Sequence, residues 1–181
     1  MDREGRFGGR PVEMAIPQYK LRNRALSLNE SQLKSRYRYR PQGARTAFLS
    51  HSHLDRTLVV GLVGLLQDAG LDVYVDWADT SLPPSPNRET ANAIKSRIVR
   101  ADLFLFLATQ NSVASRWCPW EIGYADGEKP IDSIWIIPTS EGGTTYGNEY
   151  LQLYRRVDEA NIGTLARFDP NQHSGTQLRY A

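Results

Sequence analysis

"DLFLFLA", residues Asp102 to Ala108, is apolar at both parities, with Leu103, Leu105 and Leu107 on one side and Phe104, Phe106 and Ala108 on the other. A strand with one wet face alternates polar and apolar residues. One that does not alternate is covered on both faces, as in a parallel sheet held between two layers of helices. The segment is therefore expected to be a central strand, and its neighbours should be strands joined by helical crossovers. Outward from it, "TAFLS" (Thr46 to Ser50), "LDVYVD" (Leu71 to Asp76), "DSIWIIP" (Asp132 to Pro138) and Ile162 to Ala166 read as further strands, rich in β-formers and bounded by turn residues.

Helical spacing fills the gaps. Leu58, Leu62, Leu65, Leu66 and Ala69 mark a helix over 54–69, with Gly70 as its left-handed stop. A second helix is expected from Arg88 or Glu89 to about Val99, a third from Ala114 to about Asp126 ended by Gly127, and a fourth from Asn148 to Glu159, with a loop over Gly142 to Gly147. Strands alternating with helices predict an α/β fold: a doubly wound three-layer sandwich around a central parallel sheet of about five strands. Ligands in such sheets bind outside the carboxyl ends of the strands, so the loops after Ser50, Asp76, Ala108 and Pro138 form the expected site.

Composition narrows the class. A chain of 181 residues, 40% apolar, suffices for one such domain and an appendage. One cysteine excludes an internal disulfide and fits a reducing, cytoplasmic setting, and no spacing supports a metal site. "LVVGLVGLL" (Leu58 to Leu66) is far too short to span a bilayer, and no signal peptide follows "MDREGRFGGR". Residues 1–44 carry ten Lys/Arg and four Asp/Glu, the remainder twelve and sixteen, so the basic charge sits in an N-terminal arm and the domain is expected over 45–181. Met14 is an alternative start. Tyr37-Arg38-Tyr39-Arg40 adds stacking groups to that charge, but no nucleic-acid-binding pattern accompanies it, and a solvated or self-docking arm is expected instead.

There is no GxGxxG after the first strand and no P-loop. Ser50, Ser52 and the start of the first helix are candidate phosphate donors, with helix capping by Ser52 and Asp55 as the rival reading. His51 and His53 lack a third ligand for a metal. Cys118 reads as a small buried hydrophobe. "SRWCPWEIGYA" (Ser115 to Ala125) sets one acid, Glu121, among two tryptophans and the cysteine, four residues after Trp117 and so on one helical face with it. An acid in such apolar company is either satisfied by backbone and hydroxyl groups or has a chemical task.

Taken together, "TAFLSHSHLD", "LDVYVDW", the Pro-containing loop, "IKSRIVRADLFLFLATQNSVASRWCPWEIGYA" and "DSIWIIP" resemble a bacterial Toll/interleukin-1 receptor (TIR) domain from about Arg45 to Phe168. The resemblance implies a flavodoxin-like fold and cleavage of the nicotinamide–ribose bond of NAD as substrate, with Glu121 of the Trp-x-x-x-Glu motif as the catalytic glutamate and no separate cofactor. It implies Trp117, Ser50, Ser52 and Trp77 as pocket lining; Pro83, Pro84 and Pro86 make the loop after Trp77 stiffer than in many relatives. Small stand-alone TIR proteins of the Thoeris anti-phage system are similar, and they imply an ADP-ribose-derived, cyclic or conjugated product diffusing to a separate effector. They also imply a homo-oligomer whose site is completed across protomers. A non-catalytic TIR scaffold and a nucleoside transferase are the rival functions.

Overall fold

The computed structural model describes residues 14–28, 43–75, 87–150, 152–160 and 164–180. Its elements are β1 (Ile16–Pro17), α1 (Gln18–Leu26), β2 (Thr46–Ser50), α2 (Arg56–Asp68), β3 (Asp72–Tyr74), α3 (Arg88–Arg100), β4 (Leu103–Ala108), α4 (Gln110–Ala114), α5 (Cys118–Glu128), β5 (Ile134–Glu141), β6 (Thr144–Tyr146), β7 (Arg155–Glu159), β8 (Leu165–Phe168) and β9 (Thr176–Gln177). Strands β3, β2, β4, β5 and β7 lie side by side and parallel, a core of the expected five strands in number, although its fifth member is β7 and not the expected Ile162 to Ala166.

All six residues of β4 are fully buried because each parity has its own helical layer. Leu103, Leu105 and Leu107 join Ala47, Leu49, Trp135 and Ile137 against Leu58, Leu62 and Leu66 of α2 and Leu21 of α1. Phe104 and Phe106 join Phe48, Ile134 and Ile136 against Ile94 and Ile98 of α3 and Ile122 and Ala125 of α5. The chain runs from β2 outward to β3 through α2 on one face, then returns past β2 to β4 through α3 on the other. The winding therefore reverses between the carboxyl ends of β2 and β4, at Ser50 and Ala108, where a doubly wound sheet opens a crevice.

Four local expectations are corrected. Asn148 to Glu159 is not a helix but a 3-10 turn (Asn148–Tyr150) followed by β7. Tyr150, Tyr154 and Val157 have helical spacing, yet the two tyrosines pack on the Phe106 face and Val157 on the opposite one, which only an extended chain allows. The last expected strand is β8, and it runs antiparallel to β7, as β9 does to β8, so the sheet's far edge is a meander. The third helix begins at Cys118 and not at Ala114, which instead closes a separate short helix: Thr109 and Ser112 form a capping box on α4, Ser115 is extended, and Pro119 in the first turn starts α5, which passes through Gly127 to Glu128. The loop over Gly142 to Gly147 is partly a β5–β6 hairpin turned by Gly142 and Gly143, both at positive φ. Gly70 is the left-handed stop the sequence predicts.

Part of the basic tail is structured. β1 pairs in parallel with Thr139 and Ser140 of β5, and α1 lies on α2. The approach is close enough that a Cβ on Gly61 would sit 1.9 Å from the Leu21 carbonyl oxygen. Lys20, Arg22 and Arg24 pair with Glu159, Glu141 and Asp68, so the arm's positive charge meets acids of the sheet and of α2. No helix among the described residues is long and apolar enough to cross a membrane.

Candidate active site

Ser50 closes β2 and is buried, pointing to the α3/α5 side of the sheet. Its hydroxyl donates to Oε2 of Glu121 at 2.5 Å, joining positions 71 residues apart. Glu121 is 5% exposed and stands in the first turn of α5, where the backbone dipoles favour a negative charge. Its own N–H donates to the Trp117 carbonyl at 2.8 Å. The acid is thus fixed at both backbone and side chain, beside the crevice at which the winding reverses.

Trp117 precedes α5 rather than lying inside it, half-buried, and its indole meets Trp120 edge-on at 5.3 Å and 90°. Trp120 in turn stacks on Tyr124. Ser52 accepts from the Leu54 N–H at 3.3 Å and caps the 3-10 turn His53–Asp55, the capping alternative for this residue. The capping box does not form, because Asp55 turns elsewhere. His51 is buried, its Nδ1 3.0 Å from the Leu49 carbonyl, and Cys118 is fully buried. Trp77 and the proline loop lie outside the described residues. Among the described residues, no group of three His, Cys, Asp or Glu side chains is placed to share a metal ion.

The structure adds a clasp that sequence reasoning missed. Asp55, 5% exposed, accepts from the Thr109 hydroxyl at 2.5 Å and from the Asn111 amide at 2.6 Å. It joins the loop that follows Ser50 to the α4 segment that leads to Glu121. The signal was present as Thr109 three residues before Ser112, a helix start directly after β4. Gln18, Arg22, Asp55, Thr109, Asn111 and Glu141 help line a cavity of about 210 Å³ that neither Ser50 nor Glu121 borders.

The surrounding ties hold α5 in place. Lys129 Nζ donates to the Ile98 and Ala101 carbonyls at the end of α3, and burial lowers its pKa. Tyr154 donates to Asp126 at 2.9 Å, and burial, followed by that carboxylate, pushes the phenol up to about 12, so it stays a donor at any physiological pH. A carboxylate held this firmly next to a crevice can stabilise positive charge developing on a bound substrate, or orient its hydroxyl groups.

A profile of the TIR domain matches residues 47–165, leaving β1 and α1 outside the match. Over 118 residues the chain is 39% identical to "Probable 3' cyclic ADP-D-ribose synthase ThsB'" of Bacillus cereus (strain MSX-D12), covering 64% of this chain and 61% of that protein. Over 83 residues it is 29% identical to "Putative cyclic ADP-D-ribose synthase TIR2" of Cytobacillus dafuensis, covering 43% of this chain and 21% of that protein. The chain thus spans only part of the length of either relative. With the TIR profile running from β2 to β8 of this sheet, the chain belongs to the TIR-domain family.

Proposed function

We propose that this protein cleaves the nicotinamide–ribose bond of NAD and converts the remainder into a cyclic ADP-ribose nucleotide that serves as a signal in anti-phage defence. The observation that carries the reading is the buried Glu121 carboxylate, held by Ser50 in the first turn of α5 at the sheet's switch point. The names of two relatives, both cyclic ADP-D-ribose synthases, support the same chemistry.

Nicotinamide leaves a cationic pyridinium as a neutral molecule, so no general acid is needed. The bond that breaks is C1–N, and its electron pair departs with the ring. Positive charge then spreads over C1 and the ring oxygen, and Glu121 lies where a fixed anion lowers the energy of that state, as in glycoside cleavage. A hydroxyl of the same molecule closes the ring by forming C1–O and losing its proton to solvent; water at the same carbon gives linear ADP-ribose. The balance between cyclase and hydrolase depends on which oxygen reaches C1 first. The reading includes a homo-oligomer with its site completed across protomers, a cytoplasmic setting and a separate effector reached by the diffusing product.

Purified protein incubated with NAD at high protein concentration tests this. Release of free nicotinamide with a product of the mass of cyclic ADP-ribose supports the reading; intact NAD at every concentration refutes it and favours a scaffold.

A further inference from the structure

β5 changes partners at Pro138. Up to that residue it pairs with β4, ending at the Ala108–Pro138 register; beyond it, Thr139 and Ser140 pair with β1, and Thr139 to Glu141 with β6. Proline has no N–H, and its place inside a sheet is ordinarily an edge or a bulge. Here it faces the last residue of the central strand, at the mouth of the crevice. The Ala108 carbonyl accepts instead from the Thr139 hydroxyl at 2.6 Å, a fully buried contact.

That hydroxyl has given its proton away and accepts in turn from Gln18 Nε2 at 3.0 Å. Gln18 is the first residue of α1 and is 3% exposed. Its Oε1 accepts from Arg22, whose guanidinium also reaches Glu141 at 2.5 Å. An unbroken polar chain therefore runs from Arg22 through Gln18 and Thr139 to the end of β4. The next residue, Thr109, holds Asp55 and with it the loop that follows Ser50. Buried chains of this kind resist piecemeal loosening, because each member left without its partner keeps the cost of its lost hydration.

We infer that Gln18 is a positioning residue for the catalytic crevice, and that β1 and α1, outside the TIR match, act as a strut that fixes the carboxyl end of β4 through Thr139. The strut touches no substrate. It works by keeping Ala108, Thr109 and Asp55 in one arrangement, and through them the segments bearing Ser50 and Glu121. Its effect on turnover rests on the NAD-cleaving reading; its effect on the order of β4 does not.

Gln18→Met keeps the side-chain length and removes both hydrogen bonds, and Thr139→Val removes the relay. Hydrogen exchange followed by mass spectrometry on the full chain, together with nicotinamide release, tests the strut. In Gln18→Met, exchange over 106–112 and 52–57 should quicken roughly fivefold or more beyond the uniform increase that the accompanying fall in the urea midpoint brings to the rest of the sheet. The kcat should fall about tenfold with KM within about twofold, as expected when geometry and not binding is lost. The double variant should behave like Thr139→Val alone, since the two residues act through one link. Faster exchange confined to 14–28, or effects of the two substitutions that simply add, would overturn the strut. A wild-type protein that leaves NAD intact would refute the proposed activity while the exchange result still decides the structural role.

Discussion

The contact between α1 and α2 can be tested through one glycine. Gly61 lies in α2 where α1 crosses, and an added Cβ would stand 1.9 Å from the oxygen, 2.8 Å from the carbon and 3.2 Å from the Cα of Leu21, all backbone atoms. Ordinary contact begins at 3.4 Å, so α1 must withdraw by about 1.5 Å in Gly61→Ala. Overpacking of this kind costs roughly 1–3 kcal/mol, and backbone against backbone belongs at the upper end. Full release of α1 would expose Ile16 and Leu21, each fully buried and worth about 1.5–3 kcal/mol, which bounds the loss near 5 kcal/mol. Opposing this, alanine is the better helix former by about 1 kcal/mol. Packing wins, and the net expectation is a destabilisation of about 2–4 kcal/mol. Two controls isolate the cause. The nearest atoms to a Cβ on Gly64 are the Leu28 Cδ1 at 3.0 Å and the Arg24 side chain, both of which can turn away, so Gly64→Ala should be near neutral. Gly123 meets nothing within 4 Å, so Gly123→Ala should stabilise by about 0.5–1 kcal/mol. Urea unfolding of all three, followed by far-ultraviolet circular dichroism, gives the order directly. A Gly61→Ala protein as stable as Gly64→Ala would refute the close packing of α1.

Two further substitutions address charge and site. Asp158 on β7 is 5% exposed, and burial raises its pKa to about 6 against the partial help of the Glu159 N–H, Arg156 and Lys20, while Glu159 opposes ionisation. Because the folded pKa exceeds the unfolded value, its contribution favours the folded state below about pH 4 and is lost as pH rises to about 6, some 3 kcal/mol at most. Asp158→Asn should therefore raise stability at pH 7 and leave it nearly unchanged at pH 4, and equal gains at both pH values would contradict the assignment. Ser50→Ala removes the hydroxyl that donates to Glu121 and should cost about 1–2 kcal/mol, with nicotinamide release down roughly tenfold; unaltered turnover would show that the contact is structural only.

Four of the five parallel strands, β2 to β5, were legible because β4 is apolar at both parities and the strands read around it end in turn residues. The meander at β7 to β9 was not, since the spacing of Tyr150, Tyr154 and Val157 imitates a helix until the sheet sorts them to opposite faces. α1 was hidden for a different reason. Its apolar content is thin, its strand partner is two residues long, and its lysine and arginines read as a solvated or self-docking arm with no indication of the docking site, which Glu159, Glu141 and Asp68 supply once the fold brings them there. Glu121 stood out as one acid among aromatic residues, and family resemblance supplied its role. Its hydrogen bond to Ser50 spans 71 residues, and the Asp55 clasp spans 54 and 56, distances over which local spacing carries no information.

Glu121→Gln is the most direct test of the central claim, because glutamine keeps the volume and the hydrogen bond to Ser50 and removes only the charge. The measurement is nicotinamide release from NAD by wild type and variant at the same high protein concentration, with the folded fraction of each fixed by circular dichroism. If the carboxylate stabilises the ribosyl cation, the folded variant loses roughly 10²-fold or more of its turnover while NAD affinity changes little. Turnover by folded Glu121→Gln equal to that of the wild type would contradict the account.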